Sequence, residues 1–148
     1  MYPDLSDKST GFPSGTLAGI DQCGYTKWAQ KISVEGADIT DMVYDNENIY
    51  ICGEFYYTMI FDPANTNLTL TSTGNKDLFL ACYNSSGVFQ WARQISGSDD
   101  NDQLKAVCVD NYHNIYITGS FKSPSLSFQT NGIIYNSNTL GNTFNALS

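Results

Sequence analysis

The sequence predicts an all-β protein built from a repeated unit of four antiparallel strands. Three observations predict it. Two blocks recur at nearly equal spacing: Trp28-Ala29-Gln30-Lys31-Ile32-Ser33 returns as Trp91-Ala92-Arg93-Gln94-Ile95-Ser96, 63 residues on, and Asn48-Ile49-Tyr50-Ile51-Cys52-Gly53 returns as Asn114-Ile115-Tyr116-Ile117-Thr118-Gly119, 66 residues on. The apolar runs are short, rich in Ile, Val and Tyr, and bounded by Asn, Asp and Gly, which is the chemistry of strands closed by tight turns. No segment carries a 3.6-residue apolar period over a useful length, so helix is not expected.

Further matches join the two blocks into one unit. Asp45-Asn46 answers Asp110-Asn111, Phe55 answers Phe121, and Phe61 answers Phe128. Upstream, Leu17-Ala18-Gly19-Ile20-Asp21 aligns with Leu80-Ala81-Cys82-Tyr83-Asn84, again 63 residues apart. The offset grows along the chain because insertions fall in loops, which tolerate them better than strands do.

Each element follows from its residues. Residues 42–45 and 104–110 read as an inner strand, apolar on both faces near its end as a doubly buried strand should be. The turns Asp45-Asn46-Glu47-Asn48 and Asp110-Asn111-Tyr112-His113-Asn114 follow, with Asn and Asp suited to positive φ and Asn114 expected in the strained position. The second strand, 48–55 and 114–121, carries Gly53 or Gly119 near its end, and a strand glycine marks a bulge or a close backbone approach. Residues 56–74 form a variable polar arm in which Leu68-Thr69-Leu70 suggests an added strand or hairpin. Residues 77–83 form the third strand and 88–95 the fourth, joined by Asn84-Ser85-Ser86-Gly87 with Gly87 in the left-handed region. The last unit reaches the start of its third strand near Phe144.

Four antiparallel strands recurring at about 65 residues, with short turns and an extra arm, describe a propeller blade. The signature resembles the bacterial β-propeller repeat family, with seven-bladed β-propeller-like repeats. Its units read as an apolar strand ending in Asp, a turn, then Asn-Val-Tyr-Val-Thr-Gly. Val107-Cys108-Val109-Asp110 and Asn114 to Gly119 match that pattern, and residues 77–95 match the later strand pair. The resemblance covers most of residues 17–128; Cys52 in place of the usual Thr and the long arm depart from it. Similar repeats occur in secreted or surface bacterial proteins and in giant-virus proteins, so the resemblance is compatible with an extracellular-surface or virion-associated setting and leaves the source open.

The expected organisation is an N-terminal tail at 1–13, the last two strands of a partial blade at 14–33, a complete blade at 34–96, and a partial blade truncated at the C-terminus at 97–148. That is about two blades' worth, an incomplete propeller, because a ring needs about 4–8. The flat faces of its outer sheets, with Trp28 and Trp91, are then expected to lie uncovered. Two arrangements fit: part of a longer propeller, which is favoured, or several copies joined head to tail in a closed ring. In the ring, strands within 17–32 of one copy complete the blade begun by residues 103–121 of the next.

Composition narrows the partners. The formal charge is -8 with seven Lys and Arg scattered, which disfavours nucleic acid because phosphate binding needs a cationic face. No run approaches the roughly 20 apolar residues of a membrane helix, and residues 1–10 carry no apolar run, so neither membrane insertion nor a signal peptide is expected. Cys52, Cys82 and Cys108 sit in apolar strands and, with Cys23, form no C-x-x-C pair, so buried free thiols are favoured over disulfides or zinc.

No catalytic set can be written. His113 is the only imidazole, with no partner suggested for general-base work, and there is no G-x-S-x-G elbow or phosphate loop. Ser98-Asp99-Asp100-Asn101-Asp102 is the densest oxygen-ligand run, making Asp99, Asp100 and Asp102 weak calcium candidates without EF-hand spacing; a solvated loop is preferred, and no cofactor is expected. Asn67-Leu68-Thr69 and Asn84-Ser85-Ser86 fit the glycosylation pattern, and Trp28 and Trp91 read as core rather than sugar-stacking residues. The expected role is a structural or interaction module working through protein partners or copies of itself at the blade faces. The alternatives are a carbohydrate-binding, lectin-like propeller and a glycosidase or lyase assembled only in a complete propeller.

Overall fold

Runs of β-branched and aromatic residues broken by Asn, Asp or Gly favour strands closed by tight turns, and the computed structural model of the chain is built that way. It describes residues 15–32, 36–62, 69–99, 101–130, 133–138 and 143–145. Among these lie eleven strands and no helix: β1 (Thr16–Ile20), β2 (Thr26–Lys31), β3 (Ala37–Asp45), β4 (Asn48–Ile60), β5 (Thr69–Asn84), β6 (Phe89–Ser96), β7 (Gln103–Val109), β8 (Ile115–Ser120), β9 (Ser125–Thr130), β10 (Ile133–Asn138) and β11 (Thr143–Asn145). The fold is all-β, and every strand pair is antiparallel.

β3 to β6 form a four-stranded meander, the middle blade, with β9 and β10 added beyond β6. β1 with β2 forms one separate sheet, and β7, β8 and β11 another. The β3–β4 and β7–β8 hairpins repeat each other in register, Tyr44 facing Ile49 as Val109 faces Ile115. Both slip at the same point, between Ile39 and Asp41 and between Leu104 and Ala106. The slip drives the Asp38 carbonyl oxygen against Gly53 and the Gln103 carbonyl oxygen against Gly119, where any Cβ would collide with it. This close approach is why each unit carries glycine there.

The central strands of the middle blade are buried on both faces, β4 from Ile49 to Phe55 and β5 over most of Lys76 to Tyr83, which explains why they read as continuous apolar runs. Ile49, Ile51, Phe55, Phe79, Ala81 and Tyr83 pack with Leu17 and Ile32, and with the half-buried Trp28. Phe79 meets the rings of Phe55 and Phe61 edge-on, at 6.3 and 5.9 Å. On the opposite side Tyr50, Cys52, Leu78, Cys82 and Ile95 pack with Leu104, Val107, Ile117 and Phe121, and with Trp91. Both tryptophans therefore pack between blades, and the expectation that they lie on uncovered outer faces is corrected.

The arm is no separate hairpin. β4 and β5 run on through it, pairing Thr58 with Thr71 and Ile60 with Thr69. The Phe61 carbonyl accepts hydrogen bonds from Tyr83 Oη (2.9 Å) and from Gln30 Nε2 of β2 (3.1 Å), tying the arm to the preceding blade. At the next junction β9 pairs with β6 through Ile95–Phe128 and Ser96–Ser127. The match of Phe61 with Phe128 thus marks one device used twice, an arm laid against the last strand of the blade before it.

The inner strand starts at Ala37, earlier than residue 42, because the sequence pattern is interrupted where the strand slips. The third strand of the last unit does begin, as β11 pairs Phe144 with Gly119 and Asn145 with Thr118 of β8. This amends the ring scheme: part of the β8 edge that a neighbouring copy's β1 would use already carries β11.

Candidate functional site

One face of the middle blade is covered over only part of its width. The side of β3 that turns toward β1 and β2 presents Met42, 53% exposed, and Tyr44, 59% exposed, beside the half-buried Ile39. The cause is the repeat. β1 and β2 correspond to the last two strands of a blade, so among the described residues no inner strand pair lies over β3. One junction further on that pair is present: Val107, which corresponds to Met42, is 5% exposed beneath β3 and β4. β1 pairs with β2 alone, so its other edge carries no described strand.

The far end of the stack presents the complementary face. Ala106 and Thr118 face each other across the β7–β8 ladder, as do Cys108 and Tyr116. Cys108 is exposed and the other three half-buried, and none is charged at neutral pH. Expected to be buried like Cys52 and Cys82, Cys108 is exposed because the sheet that would cover it is not among the described residues. Burial pushes the Cys52 and Cys82 thiols up to about 11. All four cysteines are free. In dilute protein at pH 8 an aromatic disulfide reagent should therefore modify Cys23 and Cys108 while the fold is intact, and all four cysteines only in denaturant; four fast-reacting native thiols would contradict the burial.

Two polar ties cross the covered junction. Val107 N donates to Asp41 Oδ2 at 2.9 Å, and His113 Nδ1 lies 2.6 Å from Asp45 Oδ2. The carboxylate only accepts, so the imidazole donates through Nδ1. His113, not Asn114, takes the left-handed backbone, at φ 66°, and it has a carboxylate partner that its sequence context did not suggest. Its side chain is 57% exposed, so the pair works as a clasp between two turns. Beside it Asp110 accepts from Tyr112 N, Asn114 N, Asn114 Nδ2 and Tyr116 Oη at 2.8 to 3.0 Å. These donors, led by the Asn114 side chain, hold its carboxyl down at about 2. Because this pKa is depressed, the turn's contribution is present above the ordinary Asp value and lost as pH falls toward 2. Carboxyl chemical shifts should show Asp110 still ionised at pH 3, whereas titration near 4 would contradict the turn.

The acidic run resolves into separate roles. Asp102, 3% exposed, accepts from Lys122 N (2.8 Å), Ser123 N (3.1 Å) and Ser123 Oγ (2.5 Å). Ser123 Oγ in turn accepts from Ser98 N and Asp99 N, so Asp102 latches the loop that precedes β7. Asp99 folds onto Asn101, whose side chain holds its carboxyl below the usual range. Asp100 lies outside the described residues, as do Glu35 and Asn67. Among the described residues no three His, Cys, Asp or Glu side chains gather around one point that could hold a metal.

Two buried polar groups escaped the sequence reading. Lys76 Nζ and Glu54 Oε2 form an ion pair at 2.7 Å, with side chains 4% and 11% exposed. Asp77 Oδ2 accepts from Thr73 N, Thr73 Oγ1 and Gln94 Nε2, closing the arm onto the blade. Both depend on how β4 and β5 pair where their register shifts, between Tyr56 and Thr58, which periodicity does not encode. A groove of about 280 Å³ between arm and β6, lined by Phe61, Leu70, Phe89 and Arg93 among others, is open to solvent.

One four-stranded antiparallel meander, stacked between partial sheets that repeat parts of it along the chain, defines an incomplete β-propeller. Comparison with known families agrees, since residues 90–120, from β6 to the end of β8, match the model described as Beta-propeller repeat. The match spans a short segment of the chain, one repeat of that kind. No curated protein matches it. No helix among the described residues is long and apolar enough to cross a membrane.

Proposed function

We propose that the chain is a non-catalytic structural and interaction module, a propeller-repeat segment that works within a larger or oligomeric assembly. The observation that carries this reading is the exposed inner half of the middle blade, Met42 and Tyr44 with the half-buried Ile39, beside an edge of β1 that pairs with no strand among the described residues. Face and edge together suit an antiparallel strand pair that adds to the edge through main-chain hydrogen bonds and covers the face.

The test compares the protein with Tyr44→Asp by light scattering and by binding of a hydrophobic dye. The reading expects the native protein either to associate or to bind dye as a monomer. The variant should do neither, with an unchanged melting temperature because Tyr44 is already largely exposed. Identical behaviour of the two proteins would contradict it.

A further inference from the structure

We infer that the occupant of the uncovered β3 face is the β7–β8 sheet of a second copy of this chain, bound head to tail. This rests on the interaction-module reading and gives that module its partner. The argument uses the junction the chain already makes once. Between the middle and last blades, the face bearing Asp41, Val43, Tyr50 and Cys52 covers the face bearing Val107 and Val109. Shifted by one repeat, the covering face becomes Ala106, Cys108, Tyr116 and Thr118, and the covered face becomes Met42 and Tyr44. Among the described residues both halves of this interface are thus exposed, one on β3 and the other on β7 and β8. The receiving half is continuous with the packed interface, because Ile39 already packs against the buried cluster beneath Trp28.

Edge pairing follows in the same register. β5 on β4 sets Phe79 opposite Gly53 and Tyr83 opposite Ile49. The equivalent pairing sets Thr16 of one copy opposite Gly119 of the next, and Ile20 opposite Ile115. β11 already pairs with Thr118, Gly119 and Ser120, so the incoming β1 overlaps it at Thr118 and Gly119 only. Assembly requires β11 to release those two positions.

One pair departs from the template. Where His113 meets Asp45 within the chain, the corresponding residues across two copies are Glu47 and Asp110. Two carboxylates then face each other, a repulsion that salt screens. Glu47 has the same left-handed backbone as His113, φ 65° against 66°, so Glu47→His restores the clasp without new backbone strain. Self-association of the full chain should therefore strengthen with added salt, and Glu47→His should lower its midpoint concentration about two- to five-fold.

The deciding experiment is thiol cross-linking in a double variant, Cys23→Ser with Tyr44→Cys, where position 44 corresponds to Val109 and native Cys108 to Val43. A short bismaleimide should link the thiol introduced at position 44 of one copy to Cys108 of the next, giving a ladder on a denaturing gel. The control, Cys23→Ser with Val88→Cys, should give none. Light scattering of the unmodified chain should give a mass of about three or four copies, enough for a closed ring of 4–8 blades. A monomeric mass without a ladder, or a ladder equal to the control's, overturns the second copy as occupant. If that result comes with dye binding that Tyr44→Asp abolishes, the interaction-module reading stands; if dye binding is also absent, both fall.

Discussion

Replacing Gly53 with Ala should cost the protein about 3 kcal/mol or more and broaden its unfolding transition. The added methyl would point into the Asp38 carbonyl oxygen, with the Phe79 ring 3.0 Å away on the other side. Neither can yield easily: Asp38 belongs to a strand held on β4, and Phe79 is wholly buried in the core between blades. Relief requires β3 to move away from β4, which opens the apolar cluster behind it. Gly74→Ala is the control. Gly74 is strained for other residues at φ 112° but has open space around it, so its cost should be about 1–2 kcal/mol. Urea denaturation of the two variants checks the difference, and equal costs would show that the slip does not press on Gly53. Gly119 meets the Gln103 carbonyl oxygen in the same way, with the Leu104 backbone rather than a ring beside it, so Gly119→Ala should also be costly.

The second large effect concerns the buried ion pair. Lys76→Met should destabilise by about 3–5 kcal/mol, because it leaves the Glu54 carboxylate buried without its cation. Glu54 and Lys76 are 8% and 7% exposed, so water cannot replace the missing partner without opening the site. Adding Glu54→Leu to Lys76→Met should recover most of that loss, since an apolar pair of similar volume in place of a buried ion pair is often neutral or stabilising. A double-mutant cycle in urea measures both steps. If Lys76→Met costs less than about 1 kcal/mol, the pair is solvated in solution and its burial is not real.

What the sequence disclosed follows from what kind of interaction each feature depends on. The repeated Asn-Ile-Tyr-Ile-x-Gly block disclosed the strand and its glycine, because strand alternation and the slip opposite Gly53 are local. The turn at Asn84 to Gly87 was equally readable: Gly87 takes φ 79°, and Asn84 Oδ1 accepts from Ser86 N and Val88 N. Features set by one blade's contact with another were not readable. Cys52 and Cys108 occupy similar apolar runs, yet one is buried and the other exposed, because among the described residues only the first has a sheet in front of it. Met42 and Tyr44 likewise look like core, and are surface because no strand pair lies opposite them among the described residues. His113 gained a carboxylate partner 68 residues away, beyond any local pattern. The Glu54–Lys76 pair depends on the β4–β5 register, which sets Lys76 opposite Tyr56 and Leu78 opposite Glu54. The sequence therefore disclosed the blade and concealed the junctions, and the candidate site is a junction.

That site can be watched directly through two methionines. Met42 lies on the uncovered face, 53% exposed, and Met59 lies in the buried cluster, 0% exposed. With methyl-labelled methionine and a soluble paramagnetic agent, the Met42 methyl resonance should relax fast in dilute solution. It should become protected as the protein is concentrated, while Met59 stays shielded throughout. A Met42 methyl that is shielded at every concentration, or exposed at every concentration, would contradict the claim that this face is where the module meets its partner copy.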